Sequence, residues 1–253
     1  MHVSIGKTVE IHDADGQLCG SYHYEDPYKS FFRGLYTPSD KDVVACPLPD
    51  HPHHKGLQFG LCASDVNFWE EDEASEPQDR KLPIGKQQTK KLEILPPGDG
   101  IGFSQEVQWG TDEVCTFHET RRISVEKAPG AYVWTWRTTL IAARNVDLIT
   151  SVWPGPGYGG LGLRLARDLF QDGKVSPTGT TSGSTPTCVS FRGKGAEVTF
   201  EQDAKQAHGL FVSCYGAEPD FAFMSLGPTN LHPLALKQGE RLEGRYVITV
   251  SEV

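Results

Sequence analysis

Short segments of alternating apolar and polar residues, or of β-branched character, recur along the chain. They are Val3–Ile11, Lys91–Leu95, Gly102–Trp109, Cys115–Val125, Ala131–Ile141, Val146–Val152, Thr187–Phe191, Ala196–Glu201, Gly209–Cys214 and Gly244–Val250. Gly, Pro, Asp or Asn bounds each one, which is the strand-and-turn pattern of an all-β sandwich or barrel. The clearest is AYVWTWRTTLIAA, where a period of two places Tyr132, Trp134, Trp136 and Thr138 on one face and Val133, Thr135, Arg137 and Thr139 on the other. Trp134 and Trp136 are expected in the core. Helical signals are weak, since no segment sustains apolar spacing of 3, 4 and 7 between caps. Two polar excursions, Glu70–Lys91 and Asp172–Thr187, read as long loops, and loops of that length usually shape a site or move. With no repeat and no linker, the expectation is one large antiparallel β-sandwich domain spanning residues 1–253.

Composition narrows the function classes. The 253 residues are 38% hydrophobic and 23% charged, ordinary values for a globular protein. A net charge of −9 argues against a nucleic-acid binder, because phosphate contacts need a basic face. It argues equally against an anionic membrane surface. Apolar runs fall short of the roughly 18–20 residues of a membrane-spanning helix. The start, MHVSIGKTVEIHDADG, lacks a basic region followed by an apolar stretch, so a secretory signal is not expected and a cytoplasmic location is. Cys19, Cys46, Cys62, Cys115, Cys188 and Cys214 are scattered without a CxxC pair, which favours free thiols over a disulfide framework.

Candidate chemistry is densest between Pro47 and Glu71. His51, His53 and His54 fall within four positions, followed by Lys55, Asp65, Asn67, Trp69, Glu70 and Glu71. Imidazoles transfer protons near neutral pH and ligate metals. On an extended backbone His51 and His53 share one face and His54 takes the other. The H-x-H pair can hold a divalent metal with a carboxylate such as Asp65, Glu70 or Glu119, or it can supply a general acid and base. The competing structural reading has Pro52 fix a rigid turn whose histidines bond to loop carbonyls. Lys55 can hold a carboxylate or keto oxygen, or simply be solvated. An extended Asp65, Asn67 and Trp69 would present the carboxylate, amide and ring that a sugar face needs. Against that stand a turn at Asp65 and a core Trp69. Glu70, Glu71, Asp72 and Glu73 form an acidic run of the kind usually found in solvated loops.

In FHETRRISV, Glu119 and Arg121 share a strand face, and an inward ion pair is costly unless it binds something polar. Both are candidates to line a site. GPGYGGLGLR contains G-x-G without strand–helix context, so no nucleotide cofactor is expected; its glycines read as turns beside a ligand, with Tyr158 and Arg164 as contacts. His208 is a further candidate binding residue. No nucleophile triad is visible.

DHPHHKGLQFG followed by DVNFW resembles the PmoA-like family, whose pattern is DHPHHRG with Leu or Ile next. Asp50, His51, Pro52, His53, His54, Gly56, Leu57 and Phe59 fit it, as do Asp65, Val66, Asn67, Phe68 and Trp69. Lys55 stands in place of the usual Arg, and Gln58 where Trp is common. YKSFFRGLYTP, YGGLGLRLA and LKQGERLEGRYVITV are similar to further family segments. The family name suggests a membrane methane oxygenase, against which the lack of a membrane span speaks. The resemblance implies a sandwich like that of galactose mutarotase, with a sugar bound on a concave sheet face.

Three functions follow as expectations. The preferred one is acid–base chemistry on a sugar or keto-sugar: epimerisation, β-elimination or hydrolysis. His51, His53 and His54 would act with Asp65 or Glu119, while Lys55, Arg121 or Arg164 steadies an oxyanion, or a metal on His51 and His53 does so. The second is a carbohydrate-binding protein without catalysis, and the third a metal-dependent oxygenase. A homo-oligomer is compatible with all three.

Overall fold

The computed structural model describes residues 1–46, 48–49, 51–153, 157–206, 208–218 and 220–253. Asp50 of the histidine motif, and Gly155 and Pro156 of GPGYGGLGLR, lie outside them. The architecture is all-β, as the alternation predicts. One eight-stranded sheet runs in the order His2–Ile5, Val9–His12, Leu18–His23, Phe31–Leu35, Leu57–Gly60, Gly160–Arg164, Phe223–Gly227, Gly209–Ser213. A second runs Lys174–Ser176, Cys188–Arg192, Glu197–Gln202, Arg241–Ser251, Ala131–Ala142, Cys115–Ala128, Ile101–Gly110, Lys86–Ile94. Pairing within both is antiparallel. A small sheet of Leu234–Leu236, Val146–Ile149 and Cys62–Ala63 stands beside them.

The two large sheets face each other across a core that contains Phe32, Leu57, Phe59, Leu161, Leu163 and Met224 from the first. The second contributes Trp109, Trp134, Trp136, Tyr246 and Ile248. Tyr132, Trp134, Trp136 and Thr138 all point inward, so the face read from the sequence is the buried one. The charged groups in this interior are paired, as burial requires, whereas the indole N–H groups of Trp134 and Trp136 make no hydrogen bond among the described residues. Arg121, fully buried, donates to both carboxylate oxygens of Glu119 at 2.9 and 2.8 Å. It also donates to the Tyr22 hydroxyl at 2.7 Å and the Gln87 side chain at 3.2 Å, and stacks over Trp136 at 4.8 Å. Glu119 accepts as well from the Trp109 indole and the Thr138 hydroxyl, each at 2.7 Å. Burial pulls the Arg121 pKa down, but the Glu119 charge outweighs it and the net shift is upward.

Several expected elements differ in detail. Val3–Ile11 is a hairpin rather than one strand. The Glu70–Lys91 excursion holds two short turns of 3-10 helix, Glu73–Ser75 and Gln78–Arg80, and the next strand already begins at Lys86. YGGLGLR, read as turns, contains a central strand, Gly160–Arg164, buried along its whole length. A strand covered on both faces has no alternation to betray it. The six cysteines carry free thiols. Among the described residues no helix is long and apolar enough to cross a membrane.

Candidate functional site

Alternation along the first sheet turns Leu57, Phe59, Leu161, Leu163 and Met224 into the core, and turns Gln58, Gly162 and Ser225 out on the opposite face. Phe31, Gln58, Gly162, Ser225 and Phe211 form one row there, strand to strand, and Arg164 pairs in register with Phe223 beside it. Two loops cover this face: the histidine segment before Leu57 and the Asn67–Glu71 segment beyond Cys62–Ala63. Gly162 makes room for them, since a Cβ there would lie 2.5 Å from the Phe223 ring and 3.2 Å from that of Trp69. Trp69, Phe221 and Phe223 form an apolar cluster separate from the main core, with Tyr158 and Phe211 packed on it.

The histidine segment is a turn, not an extended strand. The His54 N–H donates to the His51 carbonyl at 3.0 Å, and Gly56 closes the turn at φ +57. A Cβ at Gly56 would sit 2.0 Å from the Phe32 carbonyl oxygen, so only glycine fits. The turn overrides the two-faced reading and brings all three imidazoles together. His51 stacks on His54 with centroids 5.0 Å apart and planes at 17°, and His53 meets His54 edge-on at 4.4 Å. Phe223 stacks on His54 at 4.7 Å.

His53, partly buried, and His54, buried, have different partners. His53 Nδ1 lies 2.9 Å from Glu70 Oε2, and the Glu70 side chain is 1% exposed. A carboxylate accepts, so His53 carries a proton on Nδ1 and its Nε2 is the nitrogen left for other work. His54 Nδ1 lies 3.2 Å from the Arg164 guanidinium, which can only donate. His54 is therefore neutral with its proton on Nε2. Burial, helped by the charges of His53, His51 and Arg164, holds its pKa well below the ordinary value. Arg164 also covers the Phe221 ring at 4.6 Å.

Glu70 is the anchor of the arrangement. Burial alone would raise its pKa, but the hydrogen bond and charge of His53, with the charge of Lys29, leave the carboxyl below its ordinary value. Ser75 Oγ donates to it at 3.1 Å and the Trp153 indole at 3.4 Å. Lys29 is 1% exposed; its ammonium donates to the carbonyls of Trp69 and His53 and lies 3.4 Å from Glu71. Desolvation lowers its pKa against the pull of Glu71 and Glu70. Tyr158 packs edge-on against Trp69 at 5.5 Å. Burial first, and then the Glu70 charge, pushes its phenol upward.

Other expected site residues sit elsewhere or are otherwise occupied. Asp65 is exposed and paired with Arg144 at 2.8 Å. Glu119 and Arg121 are closed into the inter-sheet network, their hydrogen-bond partners drawn from the core, so they do not line this face. Lys55 is held between Asp26 at 2.6 Å and Glu71 at 2.9 Å. The Asn67 side chain shapes the loop: its amide donates to Glu76, and its oxygen accepts from the N–H groups of Trp69 and Glu70 at 2.8 and 3.1 Å. Trp69 is buried, not an open sugar platform. His208 is buried against the Tyr246 hydroxyl at 2.9 Å, and desolvation lowers its pKa to about 4. Among the described residues no group of three or more His, Cys, Asp or Glu side chains is assembled to hold a metal.

Sequence reasoning passed over Lys29, Phe221, Phe223 and Trp153, and took Glu70 mainly as part of a solvated run. Only the position of Glu70 directly after the DVNFW motif set it apart from its acidic neighbours. Trp153 is 40% exposed while its indole reaches Glu70.

A family model described as a family of unknown function (DUF6807) matches residues 10–252. None of the curated proteins matches the chain. Among solved structures, the chain is similar in fold to a GH36 α-galactosidase, AgaB, from Geobacillus stearothermophilus, with a TM-score of 0.50 at 11% identity over 100% of the chain. A structure of an α-galactosidase from Lactobacillus brevis gives 0.48 at 9% identity over 97%. The chain spans 41% and 39% of the lengths of these two proteins. A polysaccharide lyase, 33% of whose length is covered, gives 0.35 at 10% identity over 98% of the chain.

Proposed function

This chain belongs to the DUF6807 family, a family of unknown function, and we propose that it is an enzyme acting on a sugar or keto-sugar by proton transfer. His53 and Glu70 are its catalytic pair. The observation that carries the reading is the buried Glu70 carboxylate on His53 Nδ1. A carboxylate in that position fixes the tautomer, aims the Nε2 lone pair and stabilises the imidazolium once it has taken a proton. A structural histidine needs no buried anion held below its ordinary pKa.

His51, which meets His53 edge-on with ring centroids 5.7 Å apart, is the second proton carrier. The Arg164 guanidinium supplies the positive charge that a developing oxyanion requires. Trp153, exposed at the edge of the Glu70 site, is a ring on which sugar CH groups can stack. The reaction class is epimerisation, β-elimination or hydrolysis. The fold likeness to an α-galactosidase is consistent with a saccharide ligand, and the PmoA-like resemblance of the DHPHHKG motif points the same way. Asp65 and Glu119, the carboxylates expected to complete a metal site with His51 and His53, are paired elsewhere, while Glu70 on His53 Nδ1 leaves Nε2 as the nitrogen open to a proton or a metal, and the proposed steps use it for a proton.

The test is turnover of a panel of free sugars, keto-glycosides and aryl glycosides by the wild type and by His53→Ala, with calorimetric binding measured in parallel. The proposal expects turnover to fall by about 10²–10⁴-fold in the variant while binding survives, the range for loss of a general acid or base. A wild type that binds a sugar and turns over none is a carbohydrate-binding protein instead, a reading that the exposed Trp153 would then carry.

A further inference from the structure

We propose that the outer face of the second sheet, on the far side of the core from the histidines, carries a separate binding site for an oxyanion group. Arg137 and Arg245 hold it. The ligand class is a carboxylate, sulfate or phosphate, free or borne on a larger molecule.

The site is created by register. Arg122, Arg137 and Arg245 lie on the adjacent strands Cys115–Ala128, Ala131–Ala142 and Arg241–Ser251. Arg137 is the direct cross-strand partner of both others. Neighbouring strands run about 4.8 Å apart, so three guanidinium side chains leave one face of the sheet in a row. Like charges directly opposite one another destabilise a sheet. The arrangement is the more unexpected in a chain of net charge −9.

Only one of the three is neutralised. Asp99 pairs with Arg122 at 2.8 Å. Arg137 and Arg245 are exposed and make no ion pair among the described residues. They border a groove of about 400 Å³ together with Asp99, Arg122, Ser124, Glu126 and Thr135. Two guanidinium forks side by side, flanked by hydroxyls, match the oxygens of one oxyanion in a way that ammonium groups would not. An anion seated between them replaces repulsion with charge-assisted hydrogen bonds. This surface shares no residue with the histidine site, so it stands or falls apart from the proposed activity.

Thermal melting of the wild type and of Arg137→Gln/Arg245→Gln, in chloride and in millimolar sulfate at equal ionic strength, tests it. Sulfate should raise the wild-type Tm above its chloride value, and the double variant should lose that rise. In chloride the variant should melt no lower than the wild type, because substitution removes the repulsion. Sulfate also stabilises proteins by exclusion from their surface, so only the difference between the two proteins counts. Equal shifts in both, or no shift in the wild type, would overturn the proposal. Repeating the melt with a sulfated disaccharide and with a uronic-acid oligosaccharide then separates a sugar-borne anion from a free one. A larger wild-type shift than sulfate gives identifies the former, and an equal or smaller shift the latter.

Discussion

His53 and His54 are neighbours in the chain, yet their partners assign them opposite protons. Glu70 accepts from His53 Nδ1, while Arg164 donates to His54 Nδ1. Nitrogen-15 NMR of the imidazoles at neutral pH should therefore show Nδ1–H for His53 and Nε2–H for His54. Glu70→Ala should erase the preference of His53 and leave that of His54; an unchanged His53 spectrum would contradict the assignment. His208 makes a second residue-scale prediction, about acid stability. Its folded pKa of about 4 lies below its ordinary value of 6.5. Between those values the unfolded chain binds a proton that the native state does not, so stability falls as pH drops from about 6.5 to about 4 and the contribution is flat below that. The full effect is on the order of 3 kcal/mol. Glu70, held below its ordinary value, adds a loss of the same sign as pH falls through its own folded pKa. Urea unfolding at pH 7 and pH 4.5 checks this, with His208→Gln expected to show a shallower loss than the wild type.

At the scale of elements, the strands facing each other across the core are joined by a polar network as well as by apolar packing. Tyr22 of the first sheet donates to Gln105 and accepts from Arg121 of the second, at 2.6 and 2.7 Å. Arg121→Met leaves Glu119 buried without its cation, a change that costs about 3–5 kcal/mol, whereas replacing both partners by apolar residues is far milder. The urea midpoints of Arg121→Met and of Arg121→Met/Glu119→Leu measure the difference; a single variant as stable as the wild type would refute the account. The Glu119–Arg121 pair also shows what the sequence could convey. Its alternation correctly put both side chains on one strand face, but a binding face and a sealed core network look alike in one strand, because the partners Tyr22, Gln87 and Trp109 come from others. Strands with one solvated face, such as Ala131–Ala142, were legible from their period. Leu57–Gly60 and Gly160–Arg164 were not, because loops bury their second face. The histidine turn was legible as a cluster of chemistry. Its geometry was not, since it depends on Gly56 meeting the Phe32 carbonyl and on Glu70 arriving from another loop.

Across the whole molecule, the first sheet carries the histidine cluster on the face away from the core, and the second carries arginines on its own outer face. The sandwich holds the strands rigid, and the covering loops supply the histidines and Glu70. This division fits a scaffold whose function resides in what covers one sheet. The central claim is that His53 and Glu70 act as one unit on a sugar. A double-mutant cycle of turnover with His53→Ala, Glu70→Gln and the combined variant, on a substrate found in the panel, addresses it directly. Groups that act together are strongly non-additive, so the combined variant should be no slower than His53→Ala alone, within about a factor of two or three. Losses that multiply, or a Glu70→Gln protein as fast as the wild type, would contradict the account.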